Sequence, residues 1–204
     1  MSKNLLIKKK IKKFNKVIKV SGDKSISIRW VLLASQAIGR SRGYNLLMSE
    51  DVLAAIHCIK KLGIRVKIKK NYCEIIGNDI NGFKYKKNLI IDAKNSGTLG
   101  RLILGLLIKS PEKIKIIGDK SLSKRDFSRV TIPLKNFGVK FFYMKKNKLP
   151  LSILGTQSAK GIEYLENRGS AQCKSSIMFA ALNASGTTSI RAKKSRNHSE
   201  LLFK

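Results

Sequence analysis

Apolar positions along this chain keep changing their period. Val17, Ile18 and Val20 crowd together ahead of a polar loop at residues 21–29, after which Trp30, Leu33, Ala34 and Ala37 recur at helical spacing and close near Gly39. A switch from alternation to a 3.6-residue period predicts a strand over residues 14–20, a loop, then a helix. Upstream, Leu5, Leu6, Ile7, Ile11 and Phe14 stand among lysines and read as a strand or a frayed tail. Residues 45–48 form a short apolar piece. Ser49-Glu50-Asp51 then caps a helix running through Val52, Ala55, Ile56 and Ile59 to Gly63. Residues 64–68 alternate with Arg65 and Lys67, and a second apolar run at 72–76 follows Lys70-Asn71, which predicts a hairpin. The whole stretch reads β-α-β-α-β-β.

The same order begins again. Asn81-Gly82 marks a turn before an apolar strand at 88–91, which arrives at Asn95-Ser96-Gly97-Thr98 and a helix stripe of Leu99, Leu102, Ile103, Leu106 and Leu107. A strand at 114–117, a polar turn at 118–125, a helix at 127–137 closed by Gly138 and a strand at 139–143 follow. A third pass starts at Gly169-Ser170-Ala171-Gln172, with a helix over 175–183, a turn at Ser185-Gly186, a strand at 187–191 and another helix opening near Ser195. Taking Ser21, Asn95 and Ser170 as the loop starts, the spacings are 74 and 75 residues. A second turn follows each loop start after 25 to 28 residues, at Ser49, Ser121 and Ser195. Three matching starts predict a triplicated unit with three helix N-termini in a common orientation.

Composition narrows the picture less than its extremes promise. Across 204 residues, 43 Lys and Arg against 12 Asp and Glu give a net charge of +31. Such an excess raises polyanions as partners, but here it is spread along the whole chain, is mostly lysine, and travels with Ile and Asn, as AT-rich codons alone would produce. Cys58, Cys73 and Cys173 are odd in number and lack paired spacing, so neither a disulfide framework nor a zinc site is indicated. His57 and His198 have no ligand-spaced partner, and no metal or cofactor is expected. The lysine-rich N-terminus lacks a signal-peptide core and the longest apolar run, 102–108, is too short to span a bilayer, so a cytoplasmic protein is expected.

The candidate chemistry lies in the loops. Ser21 through Arg29 ends a strand and opens a helix, where unpaired amides and the positive end of the helix dipole favour an anion. Lys24, Ser25, Ser27 and Arg29 add ionic and hydroxyl donors. Equally, Ser21 or Asp23 is an ordinary N-cap beside a surface lysine.

Taken together the loops resemble a known family. Gly22-Asp23-Lys24-Ser25-Ile26-Ser27 with Arg29, Asn95-Ser96-Gly97-Thr98 with Arg101, Gly118 through Arg125, Ser170-Ala171-Gln172, and Ser195-Arg196-Asn197-His198 are similar, in order, to the motifs of 5-enolpyruvylshikimate-3-phosphate synthase. The resemblance implies an α/β enolpyruvyl transferase fold, with three β-α-β-α-β-β units about a pseudo-threefold axis forming one domain of the usual two. It also implies transfer of the enolpyruvyl group of phosphoenolpyruvate to the 5-hydroxyl of shikimate-3-phosphate, with release of phosphate.

By that resemblance Ser25 and Arg29 hold the shikimate carboxylate, and Lys24 lies between the two substrates. Asn95 and Gly97 shape the floor under phosphoenolpyruvate, and Arg125 with Gln172 binds its phosphate. Ser170, the Ala171 amide, Ser195 and Arg196 receive the phosphate of shikimate-3-phosphate, with Gln172 shared. Small anionic substrates, no nucleic acid, no membrane and a monomeric full-length protein are implied as well. Bringing two phosphates and two carboxylates together requires such donors to offset their repulsion.

Several positions depart from the pattern. Ile28 stands where a polar residue is usual, Trp30 where a smaller one is common, Asp126 replaces the customary Pro after Arg125, and Leu102 is Pro in many members. Gly97 is the residue of members that admit the inhibitor glyphosate, whereas the motif set is nearer to the tolerant subgroup. The family's chain is about twice this length. Residues 1–19 are expected to cross to a second domain, 20–204 to form the shikimate-3-phosphate domain with its third repeat truncated, and the acid–base groups to lie elsewhere, since no carboxylate–lysine pair stands out here. The chain alone is expected to bind weakly at best and not to turn over. The sister transferase acting on UDP-N-acetylglucosamine is disfavoured by Lys24-Ser25 and Arg29. A basic nucleic-acid-binding protein would need aromatics interleaved with cations on one face.

Overall fold

The computed structural model describes residues 20–203 together with Leu6 and Val17. The strand expected at 14–20 and the crossing segment at 1–19 lie essentially outside the described residues.

The second unit is complete and serves as the ruler for the others. It runs β4 (Ile90–Asp92), α3 (Gly97–Leu106), β5 (Ile114–Ile117), a short 3-10 turn (Leu122–Lys124), α4 (Ser128–Lys135), β6 (Lys140–Tyr143) and β7 (Leu151–Leu154). Its sheet has the order β4-β5-β7-β6, with β4 parallel to β5 and the other two pairings antiparallel. In the first unit, α1 (Lys24–Ala34), β1 (Ile38–Tyr44), α2 (Glu50–Lys61), β2 (Arg65–Ile68) and β3 (Tyr72–Asn78) repeat that order, and β1-β3-β2 repeats β5-β7-β6 with both pairings antiparallel. The third unit has β8 (Glu163–Glu166), α5 (Ala171–Ala181), β9 (Ser189–Ala192) and α6 (His198–Leu202), and β8 lies parallel to β9 as β4 does to β5. The β-α-β-α-β-β unit and its repetition are therefore present as the loop spacing predicts.

Helices α1, α3 and α5 fill the middle. Ile28, Val31 and Leu32 of α1, Leu99, Leu102 and Ile103 of α3, and Ile177 and Phe179 of α5 are all fully buried. At roughly 25 cal/mol per Å2 of apolar surface, each such side chain contributes about 1.5–3 kcal/mol relative to exposure. Gly105 sets the α3–α5 distance: a Cβ there would lie 2.2 Å from the Ser176 carbonyl oxygen, so only glycine permits this approach. The strands form the outer layer, with Arg40, Arg42 and Tyr44 of β1 exposed.

Five readings need correction. Helix α1 ends at Ala34, and Gly39, at φ +85°, belongs to the following strand. That strand, Ile-Gly-Arg-Ser-Arg-Gly-Tyr, carries almost no apolar alternation, because one face is solvent and Gly43 on the other lies under the Trp30 indole, 2.8 Å from where a Cβ would sit. Strands β7 and β8 were not anticipated, their period being too short to register. The turns at Ser121 and Ser195 do not open helices directly; α4 starts at Ser128, and α6 at His198 after Asn197. Residues 45–48 are loop, with Asn45 at φ +53°.

Candidate functional site

Helix α1 begins on Asp23, whose carboxylate accepts from the Ile26 amide at 2.8 Å. That bond, reinforced by nearby His198 and Arg196, holds the carboxyl below its ordinary value against the opposing effect of burial. The bland N-cap expectation is thus correct for Asp23 itself; after it Ser27, Ile28 and Arg29 are buried, while Lys24 and Ile26 are exposed. Lys24 Nζ meets Asp51 Oδ2 at 3.1 Å, a carboxylate–lysine pair that sequence reading did not foresee because Asp51 looked like a first-turn capping residue. Burial alone would raise the Asp51 pKa, but the Ser96 hydroxyl and Lys24 outweigh it and leave it lowered. Asp51 therefore stays ionised and restrains Lys24 rather than acting as a base poised near neutrality. It also ties the starts of α1, α2 and α3 together.

Arg29 is 3% exposed. Its Nε donates to Ser199 Oγ at 3.0 Å and Ser175 Oγ at 3.2 Å, Nη2 donates to Ser175 Oγ at 2.8 Å, and Nη1 donates to the Ser25 carbonyl at 3.0 Å. None of these partners is a carboxylate. Burial pushes the guanidinium pKa below its ordinary value, with Asp23 and Glu200 partly opposing the shift. A guanidinium has five N–H groups, so one proton on each Nη remains available after these bonds. This one residue joins α1, α5 and α6.

A second network lies between α3, α4 and α5. Ser96 caps α3 by accepting from the Leu99 amide at 3.3 Å. Gly97 opens the helix, and a Cβ on it would sit 3.0 Å from Arg101 Nη1 and 3.1 Å from Arg125 Nη1, so both cations flank the bare backbone. Arg101 Nη1 donates to Gln172 Oε1 at 2.9 Å and Nη2 to the Asp126 carbonyl at 3.1 Å, and its guanidinium lies 5.1 Å over the Phe127 ring. Gln172 Nε2 donates to Thr98 Oγ1 at 3.1 Å. Gln172, the least secure residue on sequence grounds, therefore has both ends engaged on α3. Asn95 Nδ2 donates to Asp119 Oδ2 at 2.7 Å, joining the loops after β4 and β5.

The start of α5 is held from beneath. Buried Glu166 accepts from the Arg168 amide at 3.0 Å and the Ser170 amide at 2.9 Å, while Ser170 Oγ caps the Cys173 amide at 3.2 Å. Ala171 follows at the first position of the helix. Ser195 Oγ is shielded from solvent without any hydrogen-bond partner, as are His198 Nδ1 and Glu200 Oε2. Arg196 is exposed beside Asp23.

The structure thus brings Lys24, Ser25, Arg29, Asn95, Gly97, Arg125, Ser170, Ala171, Gln172, Ser195 and Arg196 to the converging starts of α1, α3, α5 and α6. Asp51, Arg101, Ser175 and Ser199 belong to the same group and were not nominated as site residues; Arg101 was quoted only within its motif. The unusual residues fit too: Ile28 is core, Trp30 is matched by Gly43, and the Asp126 carboxylate accepts from the Ser128 amide at 2.6 Å to start α4. All three cysteines are free and buried, Cys58 with its thiol pushed up to about 12 by burial. Among the described residues no His, Cys, Asp and Glu cluster is arranged for a metal, and no helix is long and apolar enough to cross a membrane.

Three repeated units that bring helix starts and cations together define an α/β protein of the enolpyruvyl transferase fold. The family model for EPSP synthase (3-phosphoshikimate 1-carboxyvinyltransferase) matches residues 8–204, and the chain belongs to that family. It is 41% identical over 189 residues to the 3-phosphoshikimate 1-carboxyvinyltransferase of Streptococcus mutans, covering 92% of this chain and 44% of that protein. It is 39% identical over 196 residues to the Caldicellulosiruptor bescii protein of the same name, covering 95% and 45%. The solved EPSP synthase from Acinetobacter baumannii superposes with a TM-score of 0.84 at 34% identity, over 90% of this chain and 42% of that one. The chain therefore spans less than half the length of the curated relatives it matches.

Proposed function

We propose that these residues form the shikimate-3-phosphate face of an enzyme that transfers the enolpyruvyl group of phosphoenolpyruvate to the 5-hydroxyl of shikimate-3-phosphate, releasing phosphate. The observation that carries this reading is Arg29, a buried guanidinium held by two hydroxyls and a carbonyl, with no carboxylate among its partners. A buried cation with no carboxylate in direct contact is costly, and an anionic ligand supplies that contact. Ser25 and Arg29 take the shikimate carboxylate. The Ser170 hydroxyl, the Ala171 amide, the unpartnered Ser195 hydroxyl and Arg196 take the phosphate at the α5 start. Lys24, held in place by Asp51, lies between the reactants, while Asn95, Gly97 and Arg125 form the surface for phosphoenolpyruvate and Gln172 is shared between it and the phosphate of shikimate-3-phosphate.

Residues 20–203 act as one binding domain in this reading, and the protein works as a cytoplasmic monomer on small anions. The acid–base groups for the alcohol and enol come from outside these residues, since the lysine–carboxylate pair placed between the reactants, Lys24–Asp51, is an ion pair with a depressed carboxyl. Titrating the 204-residue chain with shikimate-3-phosphate, followed by amide NMR, tests the proposal. Saturable, salt-sensitive shifts at the starts of α1, α5 and α6 are expected, without phosphate release when phosphoenolpyruvate is added. No shift at those three helix starts up to millimolar ligand would overturn it.

A further inference from the structure

The Gln172 side chain presents a donor and an acceptor on one planar group, and the two ends look alike to a ligand only until their neighbours are considered. Arg101 has no acceptor. The atom of Gln172 that meets Arg101 Nη1 at 2.9 Å must therefore be the carbonyl oxygen, and the NH2 group must be the one that meets Thr98 Oγ1 at 3.1 Å. A carboxamide nitrogen carries two protons; Thr98 engages one, and the other is left for the site. Arg101 is itself immobilised by the Gly97 and Asp126 carbonyls and the Phe127 ring, so its direction is fixed by backbone.

We propose that Arg101 is a positioning residue that locks the Gln172 amide, so that Gln172 always offers N–H to the anion. This rests on the reading that Gln172 faces an anionic substrate. Without the lock the amide turns over and presents its carbonyl oxygen to a phosphate, converting an attraction into a repulsion. The sequence spacing explains why the pairing works: Arg101 lies one helical turn after Gly97, so the arginine arches over the bare first turn of α3 and reaches the first turn of α5.

Two measurements on the 204-residue chain test the lock. In the absence of ligand, the two Gln172 Nε2 protons are expected as resolved, slowly exchanging NMR signals that average or exchange rapidly in Arg101→Gln. Signals unchanged in that variant overturn the lock, whatever the ligand data show. Shikimate-3-phosphate affinity then forms a double-mutant cycle. Arg101→Gln and Gln172→Ala should each weaken binding by about 10-fold, a single charge-assisted hydrogen bond, and the double variant should be no weaker than Gln172→Ala. A loss of about 100-fold in the double variant, the product of the two, would show that Arg101 acts independently and overturn the proposal. Should Arg101→Gln fail to fold, Thr98→Val removes the acceptor at the other end, and the same non-additivity with Gln172→Ala is expected. If the unsubstituted chain does not bind shikimate-3-phosphate, the proposed function fails while the amide signals still decide the lock.

Discussion

Two arginines sit in similar places, on the second turn of a central helix just past its cap, Arg29 buried and Arg101 half-buried, and they are treated differently. Arg29 is held by two hydroxyls that can donate as well as accept and by one backbone carbonyl, and Arg101 by two backbone carbonyls, an amide oxygen and an aromatic ring, with no hydroxyl. Burial depresses both guanidinium pKa values, but at Arg29 the next influences are the acids Asp23 and Glu200, whereas at Arg101 they are the cations Arg125 and Arg129. Hydroxyls can reorient when a ligand arrives; carbonyls of a helix start cannot. The first arginine is thus built to be shared with a ligand and the second to hold the frame around it.

The largest effect expected from breaking this contrast is on binding at Arg29. Arg29→Ala removes the guanidinium at the centre of that cluster but leaves Ser175 and Ser199 hydrogen-bonded to each other at 2.6 Å. Charge-assisted bonds contribute about 1.5–3 kcal/mol each, so shikimate-3-phosphate affinity should fall about 100-fold, measured by NMR titration, with circular dichroism unchanged. Next comes Arg101→Ala, where the cost moves to the fold. It strips the Gly97 and Asp126 carbonyls and the Gln172 oxygen of a shared donor, and about 2 kcal/mol of stability should be lost in urea denaturation. If both substitutions instead reduced stability equally and left binding alone, the distinction between shared and framing arginines would be wrong.

The contrast also shows what a sequence carries. Helix starts, their 74- and 75-residue recurrence and the core stripes were legible because periodicity and capping are local. Arg29 was found because it stands in a loop motif with Lys24 and Ser25. Asp51 and Ser199 were not, since the first reads as capping chemistry and the second as filler; only packing of α1 against α2 and α6 gives them roles. Strand β1 was hidden for a related reason. Its buried face is supplied by Gly43 against Trp30, a pairing across the unit that no single-strand pattern displays.

A smaller effect is expected at Gly97, where the two kinds of cation meet. A methyl group there would stand 3.0 Å from Arg101 Nη1 and 3.1 Å from Arg125 Nη1. Both atoms end flexible side chains, so they yield by a few tenths of an ångström and the fold survives; replacing glycine in a helix even favours the folded state by up to about 1 kcal/mol. Gly97→Ala should therefore leave thermal stability equal or higher, and shikimate-3-phosphate affinity should stay within about threefold by NMR titration. Displaced Arg101 and Arg125 signals should accompany it. An affinity loss as large as that of Arg29→Ala would mean that the α3 start belongs to the shared side of the comparison.

The smallest effect concerns the acids that begin the helices beside each arginine. Asp23 accepts from the Ile26 amide and Asp126 from the Ser128 amide, and these bonds hold both carboxyls below their ordinary value of 3.8. A carboxyl depressed in the folded state favours folding fully above its unfolded pKa, and that contribution disappears as pH falls through the folded value. Urea midpoints should therefore hold steady above about pH 5 and decline below pH 4, within the acid limb expected for carboxylates with an unfolded value of about 3.9. Asn accepts the same amide bonds without titrating, so Asp23→Asn and Asp126→Asn should lose only a few tenths of a kcal/mol at neutral pH and flatten the acid limb. Asp23 caps α1, the helix that carries Lys24, Ser25 and Arg29, whereas Asp126 starts α4; protonating Asp23 loosens that cap and should therefore weaken shikimate-3-phosphate binding below pH 4 as well, whereas protonation of Asp126 should alter stability alone. A binding loss at acid pH that persists undiminished in Asp23→Asn would place the responsible carboxyl elsewhere in the Arg29 cluster, with Glu200 the group to substitute next.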